Sequence, residues 1–170
     1  MIKFVACTVF STLLLAFSGV AQLPEEWLGN YKGQLEITNY KGEVSEVYME
    51  LHIETKSDSS YVFDIIYGDD STRQERNYEL IHDKENQFVM DEKNGIALPL
   101  MLFNNRMISA FKVQENTIQV SYTLEKKQLI FRTTSSAKSI QSGGRNGTPK
   151  VQGYLPFVDQ YSELKRYKKK

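Results

Sequence analysis

The chain has 170 residues, the length of one ordinary domain, and its 21 Lys and Arg side chains balance 21 Asp and Glu side chains. With 25% charged and 12% aromatic residues it is neither a disordered acidic tail nor a globally basic nucleic-acid-binding protein, so we expect no nucleic-acid partner. The balance hides two different parts. Residues 22–134 carry 12 basic and 19 acidic side chains, a net charge of −7, whereas residues 135–170 carry 8 basic and 2 acidic, a net charge of +6.

The first 21 residues have the layout of a secretory signal peptide, with Lys3 before an apolar run at 4–17 and small residues up to Ala21. The run is too short to cross a bilayer, which takes about 20 residues. We therefore expect cleavage after Ala21 and export to the periplasm or the medium, with no lipid anchor and no transmembrane helix in the mature chain. Cys7, the only cysteine, leaves with the signal, and a cysteine-free exported domain is typical of bacteria.

From residue 27 to residue 134, apolar and polar side chains alternate with a period of two, which is the pattern of strands with one buried face. The predicted strands are 29–38, 46–54, 61–67, 76–82, 87–91, 96–103, 106–113, 117–125 and 128–133. About nine short strands joined by hairpin-length loops predict an all-β, up-and-down antiparallel β-barrel, because closure removes exposed edges. A two-sheet β-sandwich is the alternative.

Two segments depart from this alternation. The strand at 96–103 is apolar on both faces, so it is either covered by another element or partly exposed as an apolar interaction patch. Pro99 favours an edge or a bulge there because it has no N–H to donate. The Ser/Gly-rich segment 135–150 predicts a flexible linker. Residues 151–170 form the C-terminal segment, where a stripe of apolar residues after Pro156 predicts a short helix before the basic end. The barrel domain then spans residues 22–134.

The first strand opens with Trp27, Leu28, Gly29, Asn30 and Tyr31. Over residues 25–134 the chain resembles the calycin-like barrels, which include lipocalins, fatty-acid-binding proteins and their bacterial lipocalin-like relatives. It is also similar to exported proteins of the Bacteroidetes, in which Ala followed by Gln is common at the cleavage site.

The calycin-like resemblance implies a plug at one end of the barrel. In these families a Gly-x-Trp ring lies against a basic side chain of the last strand, and Gly29 to Tyr31 is the Gly-x-aromatic match here. The resemblance therefore implies that Trp27 or Tyr31 stacks on Arg132. Alternation favours an Arg132 side chain in solvent, because its neighbours take the inward phase.

The predicted interior is rich in aromatic residues, and several tyrosines among them predict a partly polar lumen that holds water or a ligand. The alternative is that the rings fill a small barrel completely. Resemblance to fatty-acid-binding proteins implies that Arg76 holds a ligand carboxylate, and the alternative is an exposed or paired arginine. The predicted ligand-binding residues are Arg76, Tyr78, Tyr31, Tyr61, Phe63, Tyr67 and Tyr122.

The sequence contains two histidines, His52 and His82, and any catalysis by histidine would have to use one of them. His52 lies between Glu50 and Glu54, but this spacing is common on wet strand faces and lacks a fourth ligand, so we predict no metal site. His82 is expected to be a rim histidine bonded to the adjacent loop. Because a catalytic site would need His82, Arg76 and an acid to converge, we predict no catalytic residue.

The leading hypothesis is an exported, non-enzymatic, lipocalin-like protein that binds a small apolar or amphipathic ligand without a cofactor. The alternative is a cell-envelope interaction protein that acts through the apolar strand 96–103 and the basic tail. In that hypothesis the tail docks on an anionic envelope surface. Its cations are Lys165, Arg166, Lys168, Lys169 and Lys170.

Overall fold

The computed structural model describes residues 22–145 and 147–169, and the predicted signal peptide lies outside these ranges. The described residues fold into ten antiparallel strands, each paired with its neighbours in sequence, and β1 pairs with β10 to close a barrel. The strands are β1 Gly29–Asn39, β2 Val44–Ser57, β3 Ser60–Tyr67, β4 Gln74–Lys84, β5 Gln87–Asp91, β6 Ala97–Phe103, β7 Arg106–Val113, β8 Asn116–Glu125, β9 Gln128–Gly143 and β10 Lys150–Tyr167. The predicted up-and-down barrel is confirmed, and the two-sheet sandwich is wrong.

The C-terminal part of the prediction is also wrong, because strands replace both the linker at 135–150 and the helix after Pro156. Leu164 is fully buried while Tyr161 faces outward opposite Arg132, which is the alternation of a strand. The barrel therefore does not end at residue 134. Gly143, which suggested a flexible linker, is needed for the turn: its φ is 75°, and an added Cβ would lie 2.1 Å from the Pro149 carbonyl oxygen.

A short plug closes the end of the barrel where β1 begins, which we call the closed end. The 3-10 helix Glu25–Trp27 buries the Trp27 ring completely, and the backbone N–H of Leu23 donates to the Tyr61 hydroxyl at 3.0 Å. The N-terminal segment is therefore fastened to β3 as well as to β1. Among the described residues, no helix has the length and apolar character needed to cross a membrane.

The basic partner of the plug is Arg166, on β10. Its guanidinium lies 5.3 Å from the Tyr31 ring centroid and donates to the Tyr31 hydroxyl at 2.9 Å, to the Glu26 carbonyl at 2.7 Å and to the Leu28 carbonyl. A Cβ at Gly29, where φ is 145°, would lie 3.0 Å from Arg166 Nε, so glycine makes room for this side chain.

Arg132 lies on the outer face instead. Its side chain is 57% exposed, 3.6 Å from the Asp159 carboxylate and 5.5 Å from the Tyr161 ring centroid. Stacking of the plug on Arg132 is therefore wrong, and the solvent position favoured by alternation is confirmed. The resemblance pointed to the wrong residue because β9 is not the last strand.

The apolar segment 96–103 is an ordinary wall strand, β6, whose inward side includes the buried residues Leu100 and Leu102. Its pairing with β7 covers only Met101 to Phe103. Beyond that point Pro99 has no N–H to donate, and the Ser109 hydroxyl donates to the Pro99 carbonyl at 2.5 Å. The wall therefore has a seam between β6 and β7, bridged by a side chain in place of the ladder.

We expect Ser109→Ala to lower the free energy of unfolding by about 1 kcal/mol, because it removes the hydrogen bond that bridges the seam. Urea denaturation of the two proteins measures this difference. Ser139→Ala, at an exposed position of β9, is the matched control and should change stability little. Equal stabilities of the two variants would mean that the seam does not depend on this bond.

Candidate functional site

A cavity of about 150 Å³ lies inside the barrel toward the end opposite the plug, which we call the open end. Its walls combine aliphatic and aromatic side chains with five that bear hydroxyls. The apolar lining includes Met90, Leu98, Leu100, Val120 and Phe131, and the hydroxyls belong to Tyr67, Tyr78, Tyr122 and Ser109 among others. This volume is similar to that of a cavity that accepts benzene, so the cavity has room for one ring or a short chain.

Tyr122 is the most buried phenol of the cavity, at 3% exposure. Its ring packs edge-on against Phe63, with centroids 5.2 Å apart, and at a tilt of 45° against Phe131, with centroids 5.4 Å apart. Burial raises the pKa of Tyr122 well above its usual value. This hydroxyl is therefore protonated at neutral pH, and the ring that carries it is held in place.

Tyr67 and Tyr78 bring two further hydroxyls to the same cavity. Burial raises the pKa of Tyr67 to about 12. Burial is also the main reason that the pKa of Tyr78 is raised, and the negative charge of Glu92 adds to it. In the described part of the chain, the hydroxyls of Tyr67, Tyr78 and Tyr122 make no hydrogen bond. Five other tyrosines do: Tyr31, Tyr48, Tyr61, Tyr161 and Tyr167. The cavity thus offers three phenol donors to an acceptor.

Charged side chains stand at the mouth of this cavity. Arg76 is exposed and lies opposite Ile65 in the β3–β4 register, so it extends from the cavity-facing side of the sheet at the rim. Its positive charge opposes the rise in the pKa of both Tyr67 and Tyr78, and it forms no ion pair with the described residues. Glu92 lines the mouth as well.

The seven predicted ligand-binding residues separate into three groups. Tyr67, Tyr78 and Tyr122 line the cavity, and Arg76 stands at its rim. Phe63 is fully buried against Tyr122. Tyr31 and Tyr61 lie at the closed end, where the plug uses their hydroxyls, so they do not belong to the candidate site.

Sequence reasoning missed Ser109 and the aliphatic part of the lining. The signal was available, because Ser109 lies in phase with Met107 and Phe111 on β7. Buried side chains, among them Trp27, Phe63 and Phe88, occupy the lumen toward the closed end. In the described residues the interior is therefore neither open throughout nor packed shut.

A wider hollow of about 760 Å³ opens to solvent beside the mouth. Leu35 and Ile37 of β1, Val47 of β2 and Gln160 of β10 line it. Tyr67 borders both this hollow and the cavity.

A second polar cluster lies on the outer face of β2. The Glu50 carboxylate accepts hydrogen bonds from the hydroxyls of Tyr48 at 2.7 Å and Tyr167 at 2.8 Å and from His52 Nε2 at 2.9 Å. Burial alone would raise the pKa of Glu50, but these three hydrogen bonds outweigh it and lower the pKa. Within the described ranges, no three residues with metal-binding side chains come together. Because Tyr167 belongs to β10, its contacts with Glu50 and His52 fasten β2 to β10.

Glu50→Gln tests this fastening through its pH dependence. The folded pKa lies below 4.5, so the carboxylate stabilises the barrel above that pH, and its contribution disappears as the pH falls through the folded value. At pH 7 we expect the free energy of unfolding of the variant to be about 1 kcal/mol lower than that of the unmodified protein. The difference from the unmodified protein should shrink on acidification, as measured by urea denaturation from pH 7 to pH 3. A difference independent of pH would contradict it.

The two histidines and Arg76 do not form one site. His82 Nε2 donates to the Glu85 carbonyl at 2.7 Å, and its ring packs edge-on against Phe88, so it is the predicted rim histidine bonded to its adjacent loop. Arg76 lies six residues away on β4, which is about 20 Å along a strand. His82 belongs to the closed end and Arg76 to the open end.

Comparison with protein-family models and with curated proteins finds no match. Among solved structures, the chain is similar to the S-type phycobiliprotein lyase of Guillardia theta, with a TM-score of 0.60 and 10% identity over 86% of this chain and 91% of that one. The same TM-score and identity relate it to a protein of unknown function from the DUF3598 family of Nostoc punctiforme, over 87% of this chain and 51% of that one. It is also similar to the Rv2717c protein of M. tuberculosis, with a TM-score of 0.54 and 11% identity over 85% of this chain and 94% of that one.

At these identities the likeness shows the fold alone, which is the closed antiparallel β-barrel described above. The resemblance to calycin-like barrels stays a prediction. The chain spans about half the length of the Nostoc punctiforme protein and nearly all of the other two. The similarity to exported Bacteroidetes proteins stays a prediction.

Proposed function

We propose that this protein binds a small amphipathic ligand in the open half of its barrel and has no enzymatic activity. The observation that supports this is the cavity of about 150 Å³, in which apolar side chains surround three phenol hydroxyls without partners in the described residues. Each of these tyrosines lines the cavity, so a ligand or water that enters it can accept a hydrogen bond from the hydroxyl.

The lining also limits the ligand. One ring or a short alkyl chain occupies the cavity, and an acceptor atom faces Tyr67, Tyr78 and Tyr122. An acidic group on the ligand would lie at Arg76, the rim cation that resemblance to fatty-acid-binding proteins also implies. Longer ligands would continue past Tyr67 into the outer hollow.

Two probes with the same ring separate the apolar and polar parts of this proposal. Toluene has no acceptor, whereas acetophenone has an uncharged carbonyl acceptor. We expect acetophenone to bind more tightly in calorimetric titrations. Tyr122→Phe should weaken acetophenone binding about tenfold and leave toluene binding nearly unchanged, because only the hydroxyl is lost.

A cavity-filling variant provides the control for location. Val120→Phe adds volume inside the cavity and should abolish binding of both probes, whereas Val44→Phe adds the same volume at a position that is 57% exposed and should not. Absence of binding at millimolar concentrations, or affinities unchanged in Val120→Phe, would overturn the proposal. Native mass spectrometry of the purified protein would reveal a co-purified ligand.

Export after cleavage at Ala21 belongs to the same proposal and rests on the sequence of residues 1–21. N-terminal sequencing of protein recovered from an exporting host tests it, with Gln22 as the expected first residue. Recovery of the uncleaved chain would contradict it.

Docking on an anionic envelope surface is the second candidate. In its support, Lys126, Lys127 and Lys165 border one hollow at the closed end, and Lys168 and Lys169 follow as exposed residues. Arg166 is occupied by the plug, β6 belongs to the wall, and Lys170 lies outside the described residues. Vesicle binding by a closed-end variant, described below, tests this candidate.

A further inference from the structure

The hairpin formed by the end of β9 and the start of β10 projects beyond the barrel. Pairing of β8 with β9 stops at Ser136, and pairing of β1 with β10 starts at Val158. Residues 137–143 and 150–155 therefore pair only with each other. Seven residues of strand reach about 24 Å, so this ribbon extends well past the open end.

The ribbon has one aliphatic face. The register places Ile140 opposite Gly153 and Val151 opposite Ser142, with Leu155 on the same side of the two strands. Ile140, Val151 and Leu155 are each 53–54% exposed. A two-stranded hairpin is at best marginally stable alone in water, so its exposed apolar face favours a partner that covers it.

The charge of the ribbon indicates the chemistry of that partner. Between residues 135 and 158 the sequence has three basic residues and no acidic one, whereas the preceding barrel carries a net charge of −7. The side chains of Arg145 and Lys150 are exposed at and beside the turn. A surface that is anionic and also accepts aliphatic side chains fits both properties.

We propose that the ribbon is a membrane-docking element that lies on an anionic lipid surface through Ile140, Val151, Leu155, Arg145 and Lys150. Interfacial binding adds apolar burial to attraction of cations by acidic lipids, and it needs no complementary pocket. A second copy of the chain fits less well, because three side chains supply far less than the roughly 1,000 Å² of a stable interface and the two ribbons repel each other.

Vesicle sedimentation with residues 22–170 tests this, since these residues contain the whole described barrel and exclude the apolar run at 4–17. We expect binding to phosphatidylcholine vesicles with one quarter phosphatidylglycerol, at least about tenfold weaker binding to phosphatidylcholine alone, and weakening by salt. Arg145→Glu with Lys150→Glu should reduce binding at least about tenfold. A triple serine variant of the aliphatic face should also reduce it, although its charge is unchanged.

Two control variants fix the location of the binding surface. Tyr40→Ser with Val44→Ser removes exposed apolar side chains from the neighbouring β1–β2 hairpin and should leave binding intact. Lys126→Glu with Lys127→Glu, at the closed end, should weaken vesicle binding much less than Arg145→Glu with Lys150→Glu does.

Loss of binding only in the closed-end variant would assign docking to the basic tail and overturn the proposal. Equal binding by all variants, or no binding to acidic vesicles, would overturn it as well. Dimerisation by the ribbon face, or capture of polyglutamate in place of vesicles, would reassign the surface to a second copy or an acidic polypeptide. The ribbon lines no part of the cavity, so none of these outcomes affects the small-ligand proposal.

Discussion

Trp27→Ala is expected to lower the free energy of unfolding by about 4 kcal/mol, because truncation of a fully buried aromatic ring leaves a cavity as well as removing apolar burial. The position adds to the effect. Trp27 ends the 3-10 helix of the plug, and its carbonyl accepts the Tyr31 hydroxyl at 3.0 Å. Loss of the ring therefore loosens the closed end of the barrel, and since domains of this size are marginally stable, the loss is a large fraction of the total.

Urea denaturation followed by circular dichroism measures this effect in variants that lack tryptophan. Trp27→Phe keeps an aromatic ring in the plug, so its free energy of unfolding should fall less than that of Trp27→Ala. This variant keeps the prediction testable if the alanine variant does not fold. Tyr40→Ala, at a residue that is 74% exposed, is the surface control and should change stability by less than about 0.5 kcal/mol. Comparable losses in Trp27→Ala and Tyr40→Ala would show that the plug is not an anchor of the fold.

The tenth strand shows what alternation alone could not provide. Nine strands were predicted from a period-two pattern, and the structure has all of them. In an all-antiparallel closed barrel, however, the first and last strands also run antiparallel, so the number of strands must be even. Phe157, Tyr161 and Leu164 have helical spacing, but closure of the barrel overrides this local pattern.

In the candidate site, too, alternation predicts one property of a residue and leaves another undetermined. Alternation assigns Tyr78 and Tyr122 to the inward face, and this is where the structure has them. The same phase also includes Tyr31 and Tyr61, because alternation gives the side of the sheet and not the height along the barrel. Height separates hydroxyls used by the plug from those left in the cavity, and it depends on strand register and tilt, which local sequence does not specify.

Two arginines permit a direct test of which strand completes the plug. Arg166→Met is expected to lower the free energy of unfolding by about 2 kcal/mol, because it removes charge-assisted hydrogen bonds to the Glu26 and Leu28 carbonyls and the Tyr31 hydroxyl. Arg132→Met removes only a surface contact to Asp159 and a cation–π contact with Tyr161, so it should cost less than about 0.5 kcal/mol. The same substitution in both places cancels the intrinsic difference between arginine and methionine.

Tryptophan fluorescence adds a local readout, since Trp27 is the only tryptophan of the chain and is fully buried. We expect its emission to shift to longer wavelength in Arg166→Met, because the carbonyls of the 3-10 helix lose their donor and the plug admits water. Arg132→Met should leave the emission unchanged, and Arg166→Lys should restore part of the stability but lack the planar fork that reaches several acceptors. A larger loss in Arg132→Met than in Arg166→Met would place the basic partner of the plug on β9 and contradict the role of β10 in closing this end.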